Sequence, residues 1–238
     1  MANRKRKIGQ CVHCGRTGFI SDDHLPPQNL FPPPRPNNLI TVPSCDECNG
    51  GSSKDDEYFR IWLVSRENTK GHPARDAVFP TMQRSLRRKA APGFAKAFRR
   101  KLTPTERFTS SGIYAGTGLL QEFEGHRIDK VAARITQGLF FHEKGYRLPD
   151  DHVVRTFCLF RIDHLDPELS QSVTDFIAAL LASPPRSIGT VFRYWWLQSP
   201  NGPHNSVWLF EFYARLEYFC TTAPTDLSDV IMPWPNNQ

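Results

Sequence analysis

The sequence predicts an α+β protein in three parts: a small metal-stapled head over residues 1–65, a basic helical linker over 66–112, and a C-terminal α+β domain with antiparallel strands over 113–238. Three observations lead there. Four cysteines stand as two Cys-x-x-Cys pairs, Cys11/Cys14 and Cys45/Cys48, around a proline-rich stretch. Positive charge is concentrated in the first half of the chain. The second half alternates between apolar residues at helical spacing and runs rich in β-branched and aromatic residues.

From Gln10 to Lys54 the chain is punctuated by Pro26, Pro27, Pro32, Pro33, Pro34 and Pro36, which forbid helix through most of it. A segment this short and irregular cannot bury enough apolar surface to fold alone, so metal coordination has to supply part of its folding free energy. Zinc takes four soft ligands at tetrahedral angles, and each Cys-x-x-Cys turn offers two. Cys11, Cys14, Cys45 and Cys48 are therefore expected to hold one structural Zn2+ ion. His13 lies inside the first turn and could replace a cysteine, but the complete set of four makes that unnecessary. Leu39 to Val42 reads as a short strand bounded by Asn38 and Pro43. Ser53, with Asp56 three residues on, caps a helix through Tyr58, Phe59, Ile61, Trp62 and Leu63.

Residues 1–112 carry 20 Lys or Arg against 10 Asp or Glu, whereas 113–238 carry 10 against 14. Between Met82 and Arg107 lie Arg84, Arg87, Arg88, Lys89, Lys96, Arg99, Arg100 and Lys101, interrupted by Pro92-Gly93. Phe94 and Phe98 are four apart, so two short helices with cations on their outer faces are expected, either against nucleic-acid phosphates or simply solvated. The Ser/Gly/Thr-rich stretch Thr109 to Gly118 marks a domain boundary. Beyond it, Ile128, Val131, Ile135 and Leu139 predict a helix stopped by Gly145, and Asp166-Pro167 opens a second through Leu169, Val173, Phe176, Ile177, Leu180 and Leu181. Val153 to Ile162, Val191 to Leu197 and Val207 to Phe219 read as strands, the last two joined through Ser199-Pro200-Asn201-Gly202. Trp195, Trp196, Trp208 and Tyr213 are expected in the core rather than stacked on bases.

No apolar run is long enough to cross a bilayer, and basic Met1 to Gln10 lacks the apolar stretch of a secretory signal. Cys158 and Cys220 are expected as reduced, buried thiols, which suits a cytoplasmic protein.

Asp22-Asp23-His24 falls between the cysteine pairs, and Asn49 follows Cys48. Phosphodiester cleavage needs a base for the attacking water and a cation for the leaving oxygen. Asp23 and the side-chain oxygen of Asn49 are hard donors suited to Mg2+ or Mn2+, and His24 is a base next to them. The same tripeptide recurs as Asp150-Asp151-His152, and the dyad as Asp163-His164. Neither lies between cysteine pairs, and both are read as surface or strand-edge residues.

Together, the first Cys-x-x-Cys, Asp-Asp-His-Leu-Pro-Pro, Asn-Leu-Ile-Thr-Val and Cys-Asp-Glu-Cys-Asn resemble an HNH endonuclease of the His-Me finger superfamily, over roughly the first quarter of the chain. The resemblance implies a ββα-metal head clamped by zinc knuckles, with His24 as general base and Asp23 and Asn49 as catalytic-metal ligands. It implies that Asn38 pins the histidine loop, and that DNA is the favoured substrate. A zinc-stabilised nucleic-acid-binding protein without cleavage, and a protein-docking module, are the other classes that fit.

Overall fold

The computed structural model describes residues 7–87, 96, 98, 100–109 and 111–226, except for the side chains of 161, 163 and 164. Arg88, Lys89 and Arg99 of the basic run, and the side chains of Asp163 and His164, lie outside the described residues. The fold is mixed α and β with antiparallel sheets.

In the head, β2 (Thr17–Leu25) is the centre of a three-stranded antiparallel sheet between β1 (Lys7–Gln10) and β3 (Ile40–Cys45). β3 runs directly into α1 (Asp46–Gly51), so the second cysteine pair brackets the first turn of that helix, where Asp46 and Glu47 complement the positive helix end. α2 (Ser53–Ser65) begins where the sequence predicts, but Ser53 does not cap it. Ser52 is the joint: its hydroxyl donates to the Asn49 carbonyl at 2.8 Å and to Asp56 Oδ2 at 3.3 Å.

α3 (Pro73–Leu86) opens on a proline, which costs no hydrogen bond at that position. Residues 102–121 then form a separate two-stranded hairpin, β4 (Leu102–Phe108) and β5 (Tyr114–Gln121). The predicted Ser/Gly/Thr joint is thus the hairpin's turn and most of its second strand, with Gly112 at φ +80° closing the turn.

The C-terminal region begins with α4 (Gly125–Lys144), which ends at Gly145 in the left-handed conformation expected of a helix stop. β6 (His152–Cys158), α5 (Pro167–Leu181), β7 (Arg186–Ile188), β8 (Phe192–Gln198), β9 (Ser206–Phe212) and β10 (Arg215–Pro224) follow. Asp166 caps α5 by accepting from the Leu169 amide at 2.9 Å. The five strands form an antiparallel sheet in the order β6-β10-β9-β8-β7. The single strand expected over Val207 to Phe219 is divided by a turn at Tyr213-Ala214, both at positive φ. That turn has no glycine or asparagine; it is held by the Tyr213 hydroxyl, which donates to the Leu30 carbonyl at 2.8 Å.

α4 is sandwiched between the two sheets. Alternation along β9 sends Trp208, Phe210 and Phe212 towards α4 and the head, and Leu209 towards α5. One buried cluster therefore runs without a break from Val12, Leu25 and Val42, through Phe59, Ile128, Ile135 and Leu139, to Phe192 and Tyr218. Trp195, Trp208 and Tyr213 are buried and Trp196 packs against the core. Gly138 permits the closest approach: a Cβ there would lie 1.7 Å from Leu25 Cδ1 and 3.6 Å from Val42 Cγ2.

Gly138→Val should therefore separate α4 from the head sheet. We expect destabilisation of about 1–3 kcal/mol from overpacking, read as a lower midpoint in urea melts.

Candidate metal centre and the adjoining dyad

The first cysteine pair sits in the turn between β1 and β2. Its Cys11 carbonyl accepts from the Gly15 amide at 2.9 Å, and the Cys11 amide donates to the Arg16 carbonyl at 2.9 Å. Gly15 has φ +72°, and a Cβ there would be 2.9 Å from Cζ of Arg147, so this turn admits only glycine. The second pair is placed by the β3-to-α1 junction. As a result the four Sγ atoms of Cys11, Cys14, Cys45 and Cys48 lie within 4.8 Å of one another, with Cys14 and Cys45 3.7 Å apart. A tetrahedron of sulfurs about 2.3 Å from zinc has edges of about 3.8 Å, so this set can hold an ion such as zinc.

Without an ion the thiols compete for charge. The Arg16 guanidinium, whose Nε donates to Cys14 Sγ at 3.4 Å, draws the Cys14 thiol down to about 6. Burial, reinforced by hydrogen bonds from Cys45 and Cys14, pushes the Cys48 thiol well up. A dication removes that competition by stabilising all four thiolates. Cys158 and Cys220 stand apart from this set as buried free thiols, and burial pushes Cys158 up to about 12.

β2 carries Asp22, Asp23 and His24 in extended register opposite Pro43, Val42 and Thr41. Their side chains therefore alternate between faces. Asp23, only 3% exposed, turns towards α4. Asp22 is exposed and His24 half-buried on the other face, with His24 Nε2 3.4 Å from Gln28 Nε2. Asn49 docks α1 onto β2: its Nδ2 donates to Ser21 Oγ at 3.0 Å and to the Asp22 carbonyl at 3.4 Å. Asn38 donates to the Ser187 carbonyl at 2.8 Å and so ties the loop before β3 to β7.

Asp23 belongs to a buried polar cluster that sequence reasoning missed. Its Oδ2 lies 3.0 Å from His13 Nε2 and 3.8 Å from Arg134 Nη1. Arg134 also donates to Ser52 Oγ and, at 2.5 Å, to Asp56 Oδ1, while His13 Nδ1 lies 3.4 Å from Gln137 Oε1. Burial raises the Asp56 carboxyl, against the lowering influence of Arg134. At the preceding residue, burial works to raise Asp55, but Arg127 at 2.8 Å and Lys130 at 3.2 Å hold it below its ordinary value. Arg127, Lys130, Arg134 and Gln137 recur at spacings of three and four, which puts them on one stripe of α4 aimed at the head. That spacing was the available signal.

Protein-family models, curated proteins and solved structures yield no match to this chain. Function therefore has to be argued from the site itself. The Asp150-Asp151-His152 copy of the tripeptide is far from the cysteines in sequence: Asp150 pairs with Arg147, and His152 Nδ1 lies 2.7 Å from Asp151 Oδ1. Of the basic run, Arg84 donates to Thr81 Oγ1 at 2.9 Å and Lys101 pairs with Glu124 at 3.0 Å. Arg87 ends α3, and Lys96 and Arg100 are exposed.

Cys45→Ser should lose the bound ion and melt early, whereas Cys158→Ser should retain the ion; metal analysis by atomic emission alongside thermal melts decides. Arg134→Met leaves Asp23 and Asp56 buried without their cation. We expect a loss of about 3–5 kcal/mol in denaturant titrations, smaller in Arg134→Lys.

Proposed function

We propose that this chain is a metal-dependent HNH-type endonuclease that hydrolyses nucleic-acid phosphodiester bonds, with DNA the favoured substrate. One observation carries the reading. The cysteine clamp brings the β3-to-α1 junction against β2, so that Asn49 is anchored through its amide nitrogen one residue before the Asp23-His24 dyad. With its nitrogen engaged by Ser21 and the Asp22 carbonyl, the Asn49 side-chain oxygen is left as a hard donor beside β2.

In donor type the residues fit a Mg2+ or Mn2+ ion: Asp23 and Asn49 would hold it, with Cys11, Cys14, Cys45 and Cys48 holding a structural Zn2+. Such an ion supplies positive charge for the leaving oxygen. His24 on the open side of β2 would take the proton from the attacking water. Gln28, 3.4 Å from its ring, orients the imidazole, and Asn38 steadies the loop that follows through β7.

A second reading is favoured by the surroundings of Asp23. Its carboxylate already meets His13 and Arg134, and His24 lies across the strand from it. Under that reading the head is a zinc-stabilised nucleic-acid-binding unit that does not cleave.

Supercoiled plasmid incubated with the protein and Mg2+ or Mn2+ separates the two. We expect nicking by the wild type, a loss of about 10²–10⁴-fold in His24→Ala, and unchanged rates in His152→Ala. Equal cutting by His24→Ala would remove the assigned base. Intact plasmid together with binding that weakens steeply as salt rises would favour the second reading.

A further inference from the structure

The β4–β5 hairpin stands apart from both larger sheets: among the described residues β4 and β5 pair only with each other. Its tip is unusual for a solvent-facing turn. Phe108, Ile113 and Tyr114 are 57%, 66% and 55% exposed, and Leu119 and Leu120 further down β5 are exposed to a similar degree. Scattered exposed apolar residues need no explanation, but Phe108, Ile113 and Tyr114 gather three at one turn.

The described residues of the tip bond to one another. The Thr109 amide donates to the Ile113 carbonyl at 2.8 Å, the Gly112 amide to the Thr109 carbonyl at 2.9 Å, and the Ile113 amide to Thr109 Oγ1 at 3.0 Å. Phe108 and Tyr114 meet edge-on at 5.9 Å, and the Tyr114 hydroxyl lies 3.1 Å from Thr117 Oγ1.

Charge identifies the partner. Residues 84–121 contain nine Lys or Arg and a single acid, Glu106, an excess larger than the +6 of the whole chain; all other residues taken together are net acidic. A polyanion is therefore drawn to the segment that ends in this tip. An apolar wedge on a cationic support is a device for entering between base steps, and a two-stranded ribbon also matches the width of a DNA major groove.

We propose that the β4–β5 hairpin is a wedge that inserts Phe108, Ile113 and Tyr114 between bases of duplex DNA, while the exposed Arg107, Arg100 and Lys96 hold the phosphates. This inference rests on the nucleic-acid reading above, but not on cleavage.

The test uses the full chain, a short DNA duplex carrying 2-aminopurine, and no added Mg2+ or Mn2+. Wild type should raise the 2-aminopurine fluorescence by unstacking the base. Phe108→Ser/Ile113→Ser/Tyr114→Ser should abolish that rise and weaken binding roughly ten-fold, in line with the usual loss on removing base–aromatic stacking. Because the cations stay, the slope of affinity against salt should be unchanged, whereas Arg107→Gln should reduce it. Unchanged melting of the triple variant confirms that it folds.

A triple variant that unstacks and binds like wild type overturns the wedge. So does a wild-type dimer in sedimentation that the triple variant dissolves, which would assign the patch to a second copy of the chain. Wild type that unstacks the base but never cuts plasmid removes the nuclease reading alone. Wild type that binds no duplex at any salt removes both.

Discussion

Four sulfur atoms within 4.8 Å of one another set the geometry of the head. They join two places in the chain, the β1-to-β2 turn and the β3-to-α1 junction, that are separated by a proline-rich loop with little regular structure. Besides that clamp, α1 meets the β1–β2 side only through the exposed Arg16–Glu47 ion pair and two hydrogen bonds from the Asn49 amide. Ligand coordination typically contributes about 10 kcal/mol or more to small metal-dependent domains, whereas a net hydrogen bond contributes about 1 kcal/mol. An ion held by these four sulfurs would fix where Asn49 stands relative to the Asp23-His24 dyad.

The clamp does not act alone, because the head does not own its core. Leu25 and Val42 of the head pack on α4 at Gly138, and the same buried cluster continues into the five-stranded sheet. α4 also supplies the head's electrostatic partners through Arg127, Lys130, Arg134 and Gln137. The result is one helix with two functions, an apolar face that fills the space between sheets and a polar stripe that neutralises carboxylates on β2 and α2. Arg147, just beyond α4, extends this pattern to the cysteine turn itself.

Where local chemistry decides structure, the sequence was easy to read. The cysteine spacing, Asp166 before Pro167, and Gly145 after a periodic apolar stretch each specify a local geometry, and each appears as expected. Where a distant partner decides, it was not. The Tyr213-Ala214 turn depends on a hydroxyl reaching Leu30, 183 residues away in sequence. β4 lies in the basic stretch expected to be helical, and the Ser/Gly/Thr-rich run that reads as a joint carries Gly116 and Gly118 of β5. The dyad was legible as a motif, but the company that Asp23 keeps was not: Arg134 lies 111 positions away, and no local signal links the two.

That company bears on how the site balances charge. Asp23 and Asp56 bring two carboxylates to a region where Arg134 is the one permanent cation bridging them. Arg134 can neutralise only one, and burial makes the other costly to keep ionised. The upward shift of Asp56 is the response expected of a pair left one positive charge short. A cation placed beside Asp23 would therefore compete with Arg134 and His13, which already meet its Oδ2.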